Sequence, residues 1–141
     1  MAGEIAGQTL AVAATALLLC SGAVGQRAEL SFKLSERTTE RLAAEAWEYG
    51  KPPGVLDYDP GMGHPFFVFY GISTAPGSQG GFGYFAVNPW TGDVWDLWEC
   101  RKLSTPALRR TQVELRRRFT RAELDQYPRL AHVKPACIGG R

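Results

Sequence analysis

The stretch from Pro65 to Cys100 most constrains what this chain can fold into, because its residue order reads as an antiparallel meander. Pro65 to Ser73 is dense in aromatic and β-branched residues and too short for an amphipathic helix. Phe66, Val68, Tyr70 and Ile72 alternate with Phe67, Phe69 and Gly71, the period of an extended strand. Turn-rich Thr74 to Gly80 leads to a second strand, Gly81 to Val87, with Phe82 and Tyr84 expected opposite Phe85 and Val87. Asn88-Pro89-Trp90-Thr91-Gly92 then reads as a tight hairpin, with Pro89 presetting φ and Gly92 supplying a positive one. A third strand is expected from Asp93 to about Cys100, with Trp95 and Leu97 on one side and Val94, Trp98 and Cys100 on the other. Both faces of this meander are apolar, so both need cover.

Helices supply that cover. Ser35 is an N-cap, and Leu42, Ala43, Ala46 and Trp47 form an apolar stripe at helical spacing. Gly50 and Pro52-Pro53 end the element. Later, Thr105-Pro106 is a cap followed by proline at the first helical position, with Leu108, Leu115 and Phe119 on one stripe. Thr120 to Glu123 is a capping box for a second short helix ending near Tyr127-Pro128. The first helix can cover one face of the sheet, and the helices after Thr105 are expected to cover the other. Otherwise an aromatic surface containing Trp90, Trp95 or Trp98 stays open.

Before the domain, Thr9 to Leu19 is an unbroken small and apolar run loosening into Ser21 to Gly25, the pattern of a signal peptide cut before Gln26. Glu4, with no Lys or Arg before the run, departs from the usual positive start. Two other readings compete: a lipid-modified Cys20 after Leu17-Leu18-Leu19, and a retained anchor, for which the run is short against the ~20 apolar residues that span a bilayer. The expected organisation is signal peptide 1–25 and a single domain 26–141, periplasmic or secreted. Gln26 to Lys33 is expected to open that domain with a short strand. Export leaves two cysteines, Cys100 and Cys137, which an oxidising compartment pairs as a disulfide. Closing a loop of that length contributes roughly 3–4 kcal/mol.

Charge is uneven. Gln26 to Val94 carries five basic against eight acidic residues, Trp95 to Arg141 eleven against five. Arg116, Arg117 and Arg118, with Arg109, Arg110 and Arg121, form the densest basic cluster. Such a surface suits an acidic protein or an anionic envelope polymer. Nucleic acid is discounted for an exported chain. A solvated helix face is the plainer alternative.

Catalytic signals are sparse. His64 and His132 have no Cys, His or carboxylate at metal-ligand spacing, so no metal is expected. Asp57 to Gly61 starts like a calcium loop, but the required glutamate would fall at Val68. There is no Gly-x-Ser-x-Gly elbow or phosphate-binding glycine loop, and no cofactor is expected. A thiol nucleophile at Cys100 or Cys137 with His132 would need a free thiolate.

A helix, a loop, a strand and then Tyr84-Phe85-Ala86-Val87-Asn88-Pro89-Trp90-Thr91-Gly92-Asp93-Val94 resembles a PepSY-type domain over Leu34 to Trp98, with Asn88 where that family usually has an acidic residue. The basic, helical, cysteine-containing segment 101–141 has no counterpart in the pattern. The resemblance implies a non-catalytic role, such as inhibition or regulation of extracytoplasmic peptidases, or assistance to another secreted protein.

The reading is therefore an α+β domain: an amphipathic helix on a three- to four-stranded antiparallel sheet, with two short C-terminal helices and a Cys100–Cys137 staple. The expected function is non-enzymatic binding by an inhibitor or accessory protein, with Trp90, Trp95, Trp98 and Arg116 to Arg118 as candidate contacts. A small envelope hydrolase or thiol enzyme is the alternative from another class, and a structural envelope protein is a third.

Overall fold

A computed structural model describes residues 33–47, 53–78 and 80–139. The expected signal peptide, Cys20, the strand beginning at Gln26 and the helix stop at Gly50 lie outside the described residues. The element order is α1 (Glu36–Trp47), β1 (Gly54–Tyr58), β2 (Phe67–Ser73), β3 (Gly81–Val87), β4 (Val94–Asp96), β5 (Arg101–Lys102), α2 (Pro106–Arg116) and α3 (Arg121–Ala131). The strands form one antiparallel sheet in the order β1-β2-β3-β4-β5. The expected α+β architecture is present, with five strands rather than three or four.

The two extra strands have local causes. Gly54 to Tyr58, directly after the Pro52-Pro53 stop, alternates in burial and pairs with β2 from Gly54↔Ser73 to Tyr58↔Phe69. At the other edge, the expected strand from Asp93 to Cys100 breaks after Asp96. The Asp96 carboxylate accepts the backbone N–H of Trp98 (2.9 Å) and Glu99 (3.0 Å), a local turn that competes with the ladder. Cys100 then adopts φ 53°, and two residues pair back as β5.

The hairpin between β3 and β4 forms as its composition predicts. Asn88 Oδ1 accepts the N–H of Trp90 (3.0 Å) and Thr91 (3.2 Å), and Gly92 has φ +71°. Asn88 is fully buried, and its Nδ2 donates to the Leu130 carbonyl in α3 (3.0 Å). An ionised aspartate has no donor for that last bond, so the amide ties the hairpin to the C-terminal helix. Gln112 of α2 reinforces the turn by donating to the Gly92 carbonyl (2.9 Å).

The helix caps follow their sequence signals. Ser35 Oγ accepts Thr38 N–H, Thr105 Oγ1 accepts Leu108 N–H, and Thr120 and Glu123 complete the capping box. α3 does not end at Pro128; it runs through it to Ala131. An interior proline costs about 3 kcal/mol. Here burial of Leu130 and the Asn88 bond to its carbonyl offset that cost.

One face of the sheet carries the main core. Leu42, Ala43 and Ala46 of α1 and Leu108 and Leu115 of α2 pack with Phe69, Phe85, Val87 and Val94. α2 thus lies beside α1 on the same face rather than covering the opposite one. The opposite face is closed in part by the C-terminal tail: Val133 and Ile138, with Met62, pack against Phe66, Val68, Ala86 and Leu97. Ile138 N–H donates to the Leu97 carbonyl (2.9 Å), and the Cys100–Cys137 disulfide holds the tail there, with Cα atoms 5.5 Å apart.

Phe82 is not on the Tyr84 side as strict alternation predicts. The β2–β3 register shifts at Gly71/Ile72, and Phe82 turns toward the helices, stacking on Trp47 at 4.2 Å between centroids. Its ring occupies the space where a Cβ at Gly71 or Gly54 would stand, so those glycines make the bulge possible.

Candidate functional site

The part of the second face that the tail leaves uncovered carries a stripe of apolar and aromatic side chains across the sheet. Val55 of β1 lies opposite Ile72 of β2, Tyr70 opposite Tyr84 of β3, and Trp98 follows from the turn after β4. The rings of Tyr70 and Tyr84 are 4.7 Å apart between centroids, and those of Tyr84 and Trp98 are 6.1 Å apart, edge to face. These are favourable aromatic geometries. Tyr70 lies flat over Gly81, where a Cβ would overlap its ring. The stripe ends in its most exposed members, Trp98 at 46% and Val55 at 53% of full exposure. Such side chains rarely stand in water as a continuous set unless something covers them.

The expected site residues separate into two groups. Trp95 lies on this same face, half-buried against the tail, with Lys134 Nζ 5.9 Å from its ring centroid. Trp98 was expected on the Val94 side; the Asp96 turn ends the alternation and swings it to the side of Tyr84. Trp90 is half-buried in the hairpin. Arg116, Arg117 and Arg118 are exposed at the end of α2, in the helix layer on the other side of the sheet from Trp98. Arg116 lies over the Tyr127 ring at 5.4 Å. The arginines and Trp98 therefore do not form one contiguous patch. Tyr70, Tyr84 and Val55 were not singled out by sequence, although the strand alternation already placed Tyr70 on the side away from Phe69. What sequence could not reveal was which side the second helix would take.

A polar cluster joins the β3–β4 hairpin to β5. Asp93 is 5% exposed, with Oδ1 bridged to Lys102 Nζ at 2.8 Å. Its Oδ2 is buried without a hydrogen-bond partner among the described residues. Burial, and then the Asp93 charge, push the Tyr127 phenol above its ordinary pKa, opposed by Arg116. On the surface, Glu123 is held at about 2, first by its bond from Lys33 and then by the Thr120 N–H and hydroxyl.

Chemistry beyond binding finds few groups. Cys100 and Cys137 are joined, so neither offers a thiolate. His64 lies in the β1–β2 loop at a cis peptide with Pro65, and His132 is exposed at the C-terminal cap of α3. Among the described residues no group of three or more His, Cys, Asp or Glu is placed to hold a metal ion. No helix among them is long and apolar enough to cross a membrane.

No protein-family model and no curated protein matches the chain. Among solved structures, it is similar to a chain in a type VI secretion system effector–immunity complex from Pseudomonas protegens. The identity is 23% and the TM-score 0.50, over 72% of this chain and 92% of that one. That likeness concerns the fold.

Proposed function

We propose that this chain is an exported, non-enzymatic binding protein that covers part of another protein, as an immunity-type inhibitor or accessory factor does. The observation that carries this reading is the uncovered stripe of Val55, Ile72, Tyr70, Tyr84 and Trp98. Rigid aromatic rings lose little entropy on contact and are the usual anchors of protein interfaces. The shared fold supports a protein partner, since the similar chain comes from a complex of two proteins. The PepSY resemblance, with its non-catalytic regulators, agrees. The disulfide fits a periplasmic or secreted location. Arg116, Arg117 and Arg118 need not touch the stripe to contribute: their charge steers an acidic partner over roughly 8 Å at physiological salt.

The test is recovery of the partner from envelope extract with the wild-type protein, followed by affinity measurement. Trp98→Ala should weaken the isolated complex at least tenfold while shifting stability by no more than about 0.5 kcal/mol. A complex of unchanged affinity in Trp98→Ala and in Tyr84→Ala would remove the stripe as the contact surface.

A further inference from the structure

Among the described residues β1 forms one edge of the sheet, pairing with β2 alone. Thr74 N–H donates to the Pro53 carbonyl and Asp59 N–H to the Val68 carbonyl, which fixes the phase of the ladder between them. In that phase Val55 and Asp57 direct their backbone groups to β2, and Gly54, Leu56 and Tyr58 direct theirs outward. Edges are normally blunted with lysine, proline or a covering element. This strand has no lysine or proline, and beside it runs an open groove of about 760 Å³ between α1 and β1. The groove is lined by Arg37, Arg41, Glu40, Trp47, Val55 and Leu56 among others. Arg37 has no carboxylate within ion-pair reach among the described residues, and Arg41 reaches Glu45 only at 3.9 Å.

We propose that β1 takes up an extended segment of the partner protein as a sixth strand, and that this segment alternates acidic with apolar residues. The proposal rests on the reading that the partner is a protein and names how part of it is held. The alternation follows from the register. A strand residue opposite Leu56 shares its side of the sheet, toward α1, where a carboxylate meets Arg37 and Arg41. The neighbouring residues lie opposite Val55 and Asp57 on the striped face, where exposed Val55 favours an apolar side chain and Asp57 disfavours an acid. Backbone pairing supplies the hold and these two rows supply selectivity. A second copy of this chain fits less well. Pairing two β1 edges about Leu56 would bring Arg37 and Arg41 of both copies into one groove, an arrangement of like charges.

The probe is a capped eight-residue peptide alternating glutamate and valine, compared with its lysine–valine counterpart, added to isotope-labelled full-length protein. The expected result is amide shifts and slowed hydrogen exchange at Gly54, Leu56 and Tyr58, with the lysine peptide at least tenfold weaker. Arg37→Glu with Arg41→Glu should reverse that preference. Leu56→Pro removes one outward N–H and no β1–β2 bond, and should weaken binding tenfold beyond the packing control Leu56→Ala. Equal binding of the two peptides, no shift at the three amides, or unchanged binding in the charge-reversed pair would overturn the proposal. So would exchange protection of these amides in the free protein, whether lost on removing residues 1–32 or on dilution of a dimer. If the envelope partner is lost with Trp98→Ala but held by both edge variants, the edge proposal fails and the binding function stands.

Discussion

On the helix side of the sheet, Phe69 and Phe85 are sealed to within 1% of zero exposure beneath α1 and α2. One residue away in each strand, Tyr70 and Tyr84 face the other way and remain half-buried, with Trp98 more exposed still. Both rows are aromatic and both lie in the middle strands, so hydrophobicity alone does not decide which one becomes core. The difference comes from what the rest of the chain lays over each side: two helices on one, a tail of about six residues on the other. A sheet that is apolar on both faces thus has one sealed under helices and the other closed only in part.

The sharpest break of this comparison is Phe85→Ala. It empties a fully buried ring site and should cost about 3–5 kcal/mol in denaturant unfolding. Tyr84→Ala, on the adjacent position, should cost far less. Equal losses would mean that both faces are core. The disulfide comes next. Cys100→Ser with Cys137→Ser should lower stability by roughly 2–4 kcal/mol. It should also raise hydrogen exchange and dye binding on the tail-covered face, leaving the α1–α2 packing protected, because only the tail's cover depends on that bond. The smallest effect concerns the anchoring of α3. Glu123 titrates near 2 when folded and near its ordinary value of 4.5 when unfolded, so its stabilisation is present above about 4.5 and is lost as pH falls toward 2. Glu123→Gln should therefore be modestly less stable than wild type at neutral pH and lose less over that interval, so that the two stability curves converge toward pH 2. Parallel acid curves for the two proteins would separate the Lys33–Glu123 contact from the anchoring of α3.

Much of the architecture was legible because it rests on local signals. The Asn88 to Gly92 turn, the Thr105 and Thr120 caps and the α1 stripe each act within a few residues, and each appears where the sequence places it. The misplaced features depend on partners far away in the chain. Pro128 stays helical because Asn88, 40 or so residues earlier, holds the next turn. Phe82 leaves its alternation because Gly54 and Gly71 open room for it. The third strand stops at Asp96 through a side-chain turn that strand propensity does not register. The candidate surface suffered most, since its exposure depends on which face α2 chose. The tryptophans were named, but Tyr70 and Tyr84 between them were not.

The Cys100–Cys137 bond encloses α2 and α3 in a single covalent ring that starts and finishes at the turn after β4. A protease cut anywhere in the connection between those helices, at Arg117 or Arg118 for instance, would leave both pieces attached to the sheet. Gel mobility after such a nick would change only on reduction. The most arginine-rich segment of the chain is thus also one that can be cleaved without shedding the tail that covers the second face.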